Sequence, residues 1–197
     1  MFSRTIALLA CSAIFSAACC AQMAPAQVGE PNSLKPEMNA EAPTGKKPLP
    51  SPAATAEVSL GGKKVVVRYN APSVRGRKIM GGQVPYGQVW RTGANPATTL
   101  VTAADLTIGT LTVPAGTYTI YTLPSADAWM LIVNKQTGQW GTVYNEAQDL
   151  GRTPMTSNPL PKPQEVMSIS FENTKGSSTE MHIRWETTDE SVTVTAH

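Results

Sequence analysis

The stretch that decides the fold is AEVSLGGKKVVVRYN, residues 56–70. Two runs of alternating polar and apolar residues flank a glycine pair at residues 61–62, and such a pair is typical of the tight turn of a β-hairpin. In the second run Val65, Val67 and Tyr69 share one face, because successive side chains of a strand point to opposite sides of the sheet. The sequence therefore predicts an antiparallel hairpin with one buried face.

The chain after this hairpin has the same β texture. Short runs rich in Thr, Val and Ile, separated by turn residues such as Gly109 and Gly116, recur as far as the C-terminus. They lie at residues 98–124, 128–134, 165–173, 179–187 and 190–196. Many short strands in one domain predict an all-β fold, a single-domain antiparallel β-sandwich with two long irregular loops. We expect its interior to contain Val65, Val67, Tyr69, Ile169, Phe171, Ile183 and Trp185.

The strand MHIRWE, residues 181–186, shows the alternation on which these assignments rest. Met181 and Ile183 lie on its apolar face, so His182 lies on the polar face and is expected to face solvent. No segment has a sustained helical period, although NEAQDL at residues 145–150 is compatible with one helical turn. The domain is therefore expected to contain little helix.

The first 21 residues read as a secretory signal peptide, with one positive charge, an apolar run at residues 6–18 and small residues before Gln22. The apolar run is shorter than the about 20 residues that a membrane-spanning helix needs. Cleavage after Ala21 would release a soluble protein. The alternative is lipidation of Cys19, because the residues before it resemble a bacterial lipoprotein box. Both routes predict an exported protein, periplasmic or secreted, and lipid-anchored only in the second.

Residues 22–50 are rich in Pro and Ala and have almost no large apolar side chains. Such a segment buries too little surface to offset the entropy of ordering it, so a disordered spacer is predicted. It also lacks the regular P-x-x-P spacing that is typical of a partner-binding polyproline segment. The remaining residues, 51–197, have the size of one ordinary domain and can bury a full core.

Composition excludes several classes of function for this domain. The three cysteines all lie in the first 20 residues, so residues 51–197 have no disulfide, thiolate metal site or cysteine nucleophile. Only two histidines are present, too few for a zinc cluster, and we expect neither a metal nor an organic cofactor. The formal net charge of +2 is too small for a nucleic-acid-binding face. The partner classes left are a small molecule or a component of the cell envelope.

Two irregular segments, residues 71–96 and 134–152, stand out in this Thr- and Val-rich domain. They alone combine glycine, a cationic side chain and an indole, and binding residues are often carried on loops. A single contact between the two segments explains their shared composition more simply than two unrelated structural turns would. We therefore expect them to meet at one end or edge of the sandwich, with Arg91 and Trp140 lining a shared concavity.

Three interpretations of these segments are open. In the structural one, Arg77 and Arg91 bond backbone carbonyls or a carboxylate such as Asp149, while Trp90 and Trp140 plug the ends of the sandwich. In the second, a pocket binds a sugar or a small anion through directional polar groups and flat aromatic faces. Its candidate residues are Arg77, Arg91, Asn95, Lys135, Gln139, Trp140 and Tyr144.

The third interpretation is a hydrolase. Glu146 and Asp149 are carboxylates in the second segment, and a carboxylate pair can act as general acid and general base. That role needs the two groups to face each other across the scissile bond. The sequence leaves a binding or structural module of the cell envelope as the first expectation and a hydrolase as the alternative.

Several blocks resemble one bacterial family in the same order. They are residues 68–100, which include WRTGAN, then VPAGTYTIYTLP, WMLIVNKQTGQWG, QDLGR and WETTDESVTV. The sequence resembles a secreted bacterial family known as domain of unknown function 2911, over about Leu60 to Thr195. The resemblance implies a secreted β-sandwich with no established activity. One departure is Pro96, where the family commonly has Glu, so no acid–base role carries over to that position.

Overall fold

The computed structural model of this chain describes residues 50–197. The predicted signal peptide at residues 1–21 lies outside the described residues, and so does the predicted spacer at 22–50 apart from Pro50.

The predicted hairpin is present. Strands β1 (Ala53–Leu60) and β2 (Lys63–Asn70) pair antiparallel along their whole length, with Leu60 opposite Lys63 at the turn. Gly61 and Gly62 make the turn at φ angles of 55° and 81°. This left-handed backbone disfavours residues with a Cβ, which explains the glycine pair.

The strands form two antiparallel sheets. The six-stranded sheet contains β1 and β2, then β3 (Thr98–Thr102), β6 (Gly116–Leu123), β7 (Met130–Asn134) and β8 (Asp149–Pro154), in that order. The four-stranded sheet has the order β5 (Leu111–Val113), β4 (Leu106–Ile108), β10 (Ser178–Ala196) and β9 (Thr156–Lys175). The two sheets pack face to face, which confirms the all-β sandwich.

The core between the sheets contains the side chains expected there. Val65, Val67, Tyr69, Ile169, Ile183 and Trp185 are buried, and Phe171 is partly buried against them. The Tyr69 hydroxyl accepts a hydrogen bond from the Ile169 backbone N–H (3.0 Å). A phenol of one sheet therefore bonds the backbone of the other, and its polar end has a partner inside the core.

Three tryptophans anchor the first irregular segment to this core. The indole of Trp90 is stacked on that of Trp185, with ring centroids 5.8 Å apart. It also meets Trp129 edge to face at 6.1 Å. The backbone of Trp90 pairs with Thr122 of β6 in both directions, N–H to O at 2.8 and 2.9 Å. The loop is thus fixed immediately before Arg91.

The expected exposure of His182 is wrong. His182 does lie on the face of β10 opposite the core, but it is only 8% exposed. Its Nδ1 lies 2.8 Å from the Asp189 carboxylate, which also accepts from Nε of Arg184 at 2.9 Å. Arg184 in turn binds Glu172 and lowers the pKa of that carboxyl to about 2. Alternation predicts the face of a strand correctly, but it does not show what covers that face.

Helix is nearly absent from the described part of the chain. One 3₁₀ turn at Glu146–Gln148 confirms the helical turn expected in NEAQDL. Among residues 50–197, no helix has the length and apolar character needed to cross a membrane.

Candidate functional site

The two irregular segments meet, as the sequence predicted. The Gly141 N–H donates to the Asn95 carbonyl (3.1 Å), and the Ala97 N–H donates to the Gln139 carbonyl (3.3 Å). Between these two bonds, Pro96 and Trp140 form an isolated antiparallel bridge. Residues 95–97 and 139–141 therefore make a short ladder, which we call the loop junction.

The loop junction lies over the outer face of β6. The Gln139 Nε2 donates to the hydroxyl oxygens of Thr119 (3.2 Å) and Tyr121 (3.0 Å). Tyr121 belongs to a small apolar cluster with Ala97 and Ile132, separate from the main core. Burial raises the pKa of the Tyr121 phenol, although its hydrogen bond from Gln139 opposes the shift. The outer face of the sheet is thus covered here instead of facing solvent.

Arg91 is packed against the backbone of Gly141. A Cβ at position 141 would overlap Cδ of Arg91, and it would lie 2.7 Å from the Asn95 carbonyl oxygen. Gly141 is buried, whereas the neighbouring Trp140 is 55% exposed. Because successive residues of an extended segment point to opposite sides, Arg91 lies beneath the segment and the indole lies above it.

This arrangement corrects two expectations. Trp140 does not plug the sandwich, since its indole is exposed. It also does not share a concavity with Arg91, because the backbone of residues 139–141 separates the two side chains. Two shallow hollows on the described surface lie elsewhere, one beside Glu57 and Lys64 and the other beside Val74 and Glu186.

Arg91 is a partly buried cation without a described counter-ion. The ion pairs of residues 50–197 involve Lys64, Arg152, His182 and Arg184, and none involves Arg91. Burial lowers the pKa of its guanidinium. Its Nε is buried and has no hydrogen-bond partner among the described residues. The expected bond from Arg91 to Asp149 is absent there, because Asp149 binds Tyr144 and Arg152 instead.

Unpaired polar atoms are concentrated at the loop junction. Among the described residues, five buried side-chain atoms have no partner, and four belong to the two irregular segments. These four are two donors, Arg91 Nε and Asn95 Nδ2, and two acceptors, Gln136 Oε1 and Gln139 Oε1. Buried polar atoms in proteins are nearly always paired. Their concentration beside an unpaired guanidinium therefore marks this junction as a candidate site.

The backbone around Arg91 is strained. Thr92 and Asn95 both have left-handed conformations, at φ angles of 53° and 59°. A β-branched residue rarely adopts this conformation, and such strain concentrates at functional sites. The buried Thr92 is held by Thr98, whose hydroxyl donates to the Thr92 carbonyl (2.8 Å). The loop therefore presents Arg91 and Asn95 in a conformation that its neighbours maintain.

Comparison with known proteins identifies the family. The sequence model described as "Protein of unknown function (DUF2911)" matches residues 51–194. The chain belongs to this family. No curated protein and no solved structure matches it. The DUF2911 match thus covers the sandwich from the start of β1 to Val194 in β10, and its description names no activity or ligand.

Two of the expected site residues lie away from the junction of this DUF2911 domain. Arg77 is exposed and donates from Nε to the Val74 carbonyl (3.0 Å) and from Nη2 to the Ser73 carbonyl (2.6 Å). It ties down its own loop, as the structural interpretation expected. Lys135 is exposed, and its backbone N–H donates to the Gln148 carbonyl (2.8 Å).

Tyr144 belongs to a polar cluster beside the junction. Its hydroxyl donates to Asp149 Oδ2 (2.6 Å) and accepts from Arg152 Nη2 (2.9 Å). Burial, followed by the hydrogen bond to Asp149, raises the pKa of this phenol to about 12. The ring meets Tyr121 edge to face, with centroids 5.0 Å apart. Tyr144 therefore fastens the second segment to the sheet.

The two carboxylates of the hydrolase interpretation are engaged in the same cluster. Arg152 donates to Glu146 (2.6 Å) and to Asp149 (2.9 Å) from the same Nη2. The carboxylates thus share one cation, which is not the arrangement of an acid and a base facing a bond between them. Within residues 50–197, no group of three or more His, Cys, Asp or Glu side chains is placed to hold a metal ion.

Sequence reasoning missed three residues that contact the loop junction through Gln139: Gln136, Thr119 and Tyr121. The last two lie on the outer face of β6, where a half-exposed sheet usually presents solvated side chains. A Tyr at such a position was the available signal, because a large ring on the polar face indicates that something covers it. Gln136 gave no signal, since its place depends on how the second segment folds over the sheet.

Proposed function

We propose that this protein is an exported binding module of the cell envelope that holds a small anionic ligand at the loop junction. The observation that carries the proposal is the guanidinium of Arg91, which is partly buried and has no described carboxylate partner. A buried charge is costly unless it is paired and hydrogen-bonded. An anion at this position supplies the missing charge.

The chemistry of the neighbours supports an anion. Arginine presents a planar fork of donors that matches a carboxylate or a phosphate. Asn95 adds a second unpaired donor, Nδ2, on the residue whose carbonyl binds Gly141. Donors from two side chains are suited to fix the orientation of one small anion.

Exposed apolar groups next to the junction support a ligand with an apolar face. Trp140 is 55% exposed and Val143 is 50% exposed. The two are close together, because the Val143 N–H donates to the Trp140 carbonyl (2.8 Å). A large exposed apolar patch commonly marks a binding surface. The indole lies on the solvent side of the segment that covers Arg91, so a ligand that contacts both side chains must extend past the edge of that segment.

The location in the envelope rests on the sequence. The charged start, the short apolar run and the small residues before Gln22 are those of an export signal. The alternative hydrolase has weaker support, because Arg152 holds both of its candidate carboxylates.

A thermal-shift screen of the purified protein tests this proposal. We expect acetate, phosphate or glucuronate to raise Tm, whereas neutral sugars of the same size do not. A ligand present at 100 times its Kd stabilises a protein by about 2.7 kcal/mol, which is readily measured. Isothermal titration calorimetry then gives the affinity.

Arg91→Gln and Arg77→Gln make a matched pair for this screen. The first removes the unpaired cation, and the second removes an exposed arginine that bonds only its own loop. We expect Arg77→Gln to keep the anion response and Arg91→Gln to lose it. Equal responses in the two variants, or no response in the wild type, would overturn the proposal.

A further inference from the structure

We infer that strand β1 is an interface at which two copies of this chain pair with each other. The two copies of β1 lie antiparallel about a twofold axis, so the two six-stranded sheets become one continuous sheet. This interface is separate from the loop junction and does not depend on the ligand proposed there. The geometry behind it is that β1 is an edge strand with a free side.

The free side of β1 has no backbone partner among residues 50–197. β1 pairs with β2 along its whole length, and no other backbone hydrogen bond involves residues 53–60. The Gly61 N–H does donate to the Gly176 carbonyl (3.2 Å), but this contact lies at the turn, beyond the end of the strand. An edge of this kind presents unpaired N–H and C=O groups that can bind another strand. A shallow hollow borders it, lined by Glu57, Val58, Ser59 and Lys64.

The other edge strands are covered or short. At the β9 edge, the Met167 N–H donates to the Pro72 carbonyl of the segment that follows β2 (2.9 Å). On the other side of the sandwich β5 packs against β8, where a Cβ at Gly151 would lie 2.5 Å from a methyl carbon of Leu111. β5 itself has only three residues. Proteins protect their sheet edges in such ways. β1 has no such cover among the described residues, which indicates that its edge binds another strand.

The sequence of β1 favours strand pairing. AATAEVSL, residues 53–60, contains one charged residue and neither proline nor lysine. Its pairing with β2 has no bulge, so the strand is regular over its whole length. Charged side chains, prolines and bulges are the features that usually keep one edge strand from binding another. Because most of its side chains are small, a second sheet can approach this edge closely.

A second copy of β1 fits this edge over its full usable length. Pro52 precedes the strand and has no N–H to donate, and the glycine turn follows the strand, so residues 53–59 remain for pairing. An antiparallel pair with its twofold axis at Ala56 uses all of these residues. In that register Thr55 of each copy faces Glu57 of the other copy.

The charge of Glu57 selects this register. Facing residues of an antiparallel pair lie on the same side of the sheet, so the twofold axis passes through a residue and not between two. An axis at Glu57 would place two carboxylates opposite each other, which is destabilising. An axis at Thr55 would extend the ladder over Pro52, whose missing N–H interrupts it. With the axis at Ala56 no like charges meet. The strand is thus complementary to itself, and twofold dimers are the commonest protein oligomers.

Sedimentation equilibrium of the purified protein tests the dimer. One pair of strands gives a smaller interface than the standard size, so we expect a reversible dimer with a Kd of about 1–100 µM. A protein that stays monomeric up to about 1 mM would overturn the inference.

Thr55→Glu and Thr55→Lys test the register, since Thr55 is exposed and both variants keep the core. The first places a carboxylate opposite Glu57 of the second copy, and the second places an ammonium group there. Because the contact occurs twice in a twofold dimer, we expect the first change to raise the Kd by about tenfold and the second to lower it. Thr117→Glu is the control, because Thr117 is an exposed threonine on the same face of the sheet, in β6 and away from the edge. It should leave the Kd unchanged.

A charge exchange completes the test. Thr55→Glu combined with Glu57→Lys places opposite charges across the interface, so the Kd should return to within about threefold of the wild type. A dimer whose Kd is the same in the wild type, Thr55→Glu and Thr55→Lys would lie on another surface and overturn the inference. An equal effect of Thr117→Glu and Thr55→Glu would also overturn it. Should one variant not fold, the wild-type concentration series and the remaining variants still decide.

Discussion

The side chain of Arg91 fills the space into which a side chain at Gly141 would project. Arg91 can hold this position only because residue 141 has no side chain, so the contact between the two irregular segments depends on the glycine. The ladder between residues 95–97 and 139–141 sets the distance between the two segments. Because glycine has no side chain, the stem of Arg91 fits against residue 141.

Gly141→Ala is the smallest change that tests this relationship. The new methyl group would overlap Cδ of Arg91 and press on the Asn95 carbonyl at 2.7 Å, so the ladder must shift or the arginine must leave. We expect a loss of about 1–3 kcal/mol in the free energy of unfolding, as for other overpacked sites. Denaturant unfolding measures it, and the thermal shift with anions should disappear together with it.

Thr142→Ala is the control, since Thr142 is exposed and adjacent to Gly141. Its unfolding free energy should stay within about 0.5 kcal/mol of the wild type. A Gly141→Ala protein with unchanged stability and an unchanged anion response would show that Arg91 moves aside without consequence.

Tyr144→Phe separates the polar cluster from the ligand site. The change removes the hydroxyl that donates to Asp149 and accepts from Arg152, and it leaves the direct Arg152–Asp149 bonds and the ring against Tyr121 in place. A hydrogen bond to a charged group contributes about 1.5–3 kcal/mol, and we expect the lower end here because Arg152 is partly exposed. Thermal unfolding should show this loss, while acetate should still raise Tm. Loss of the acetate response would instead place Tyr144 in the site.

Trp90 and Trp140 should respond in opposite ways to truncation. Trp90 is stacked on Trp185 in the core, so Trp90→Ala should lower the free energy of unfolding by about 3–5 kcal/mol. Trp140 is mostly exposed, so Trp140→Ala should change it by less than about 0.5 kcal/mol. Trp140→Ala should weaken the binding of a sugar acid more than that of acetate, which is too small to reach the indole. Equal weakening of both ligands would contradict a role for the indole.

The sequence predicts the scaffold well because hairpins and alternation are local. The glycine pair of the first hairpin and the buried positions Val65, Ile183 and Trp185 follow from a period of two residues. Both features depend only on residues that are close in sequence, so they can be predicted without knowing which distant segments pack against them. Composition likewise pointed to the two irregular segments that form the loop junction.

The internal order of the site could not be predicted in the same way. The roles of Arg77 and Arg91 differ because one loop closes on itself and the other is covered by residues 139–141. Both arginines follow the same kind of Gly- and Pro-rich sequence. His182 shows the same limit, since its cover comes from Asp189 seven residues later, after two irregularities in the pairing of β9 and β10.

Glu190 gives the last prediction, which concerns pH. Its side chain is buried, at 1% exposure, and the Ser157 hydroxyl oxygen lies within hydrogen-bond distance of both carboxyl oxygens, 2.8 Å from Oε1 and 2.7 Å from Oε2. Burial raises its pKa from 4.5 to about 7, with the nearby charge of Asp189 adding to the shift. The folded protein therefore keeps this group protonated between pH 4.5 and 7, where the unfolded chain releases the proton. The stabilisation is complete below pH 4.5, and it is lost as the pH rises to 7, by up to about 3 kcal/mol.

Glu190→Gln isolates this contribution from those of other titrating groups. The amide stays neutral at every pH and can still bond Ser157, so the margin by which the variant exceeds the wild type in stability should be small at pH 5 and should grow up to pH 8. Glu172, whose pKa is lowered to about 2 by Arg184, acts in the opposite direction and only in acid, where stability is lost as the pH falls from 4.5 toward 2. Unfolding by urea at pH 5, 6, 7 and 8 gives the difference between the two proteins directly. A difference that does not change across this range would mean that Glu190 has the same charge in the folded and unfolded states, and would contradict its burial as an uncharged acid.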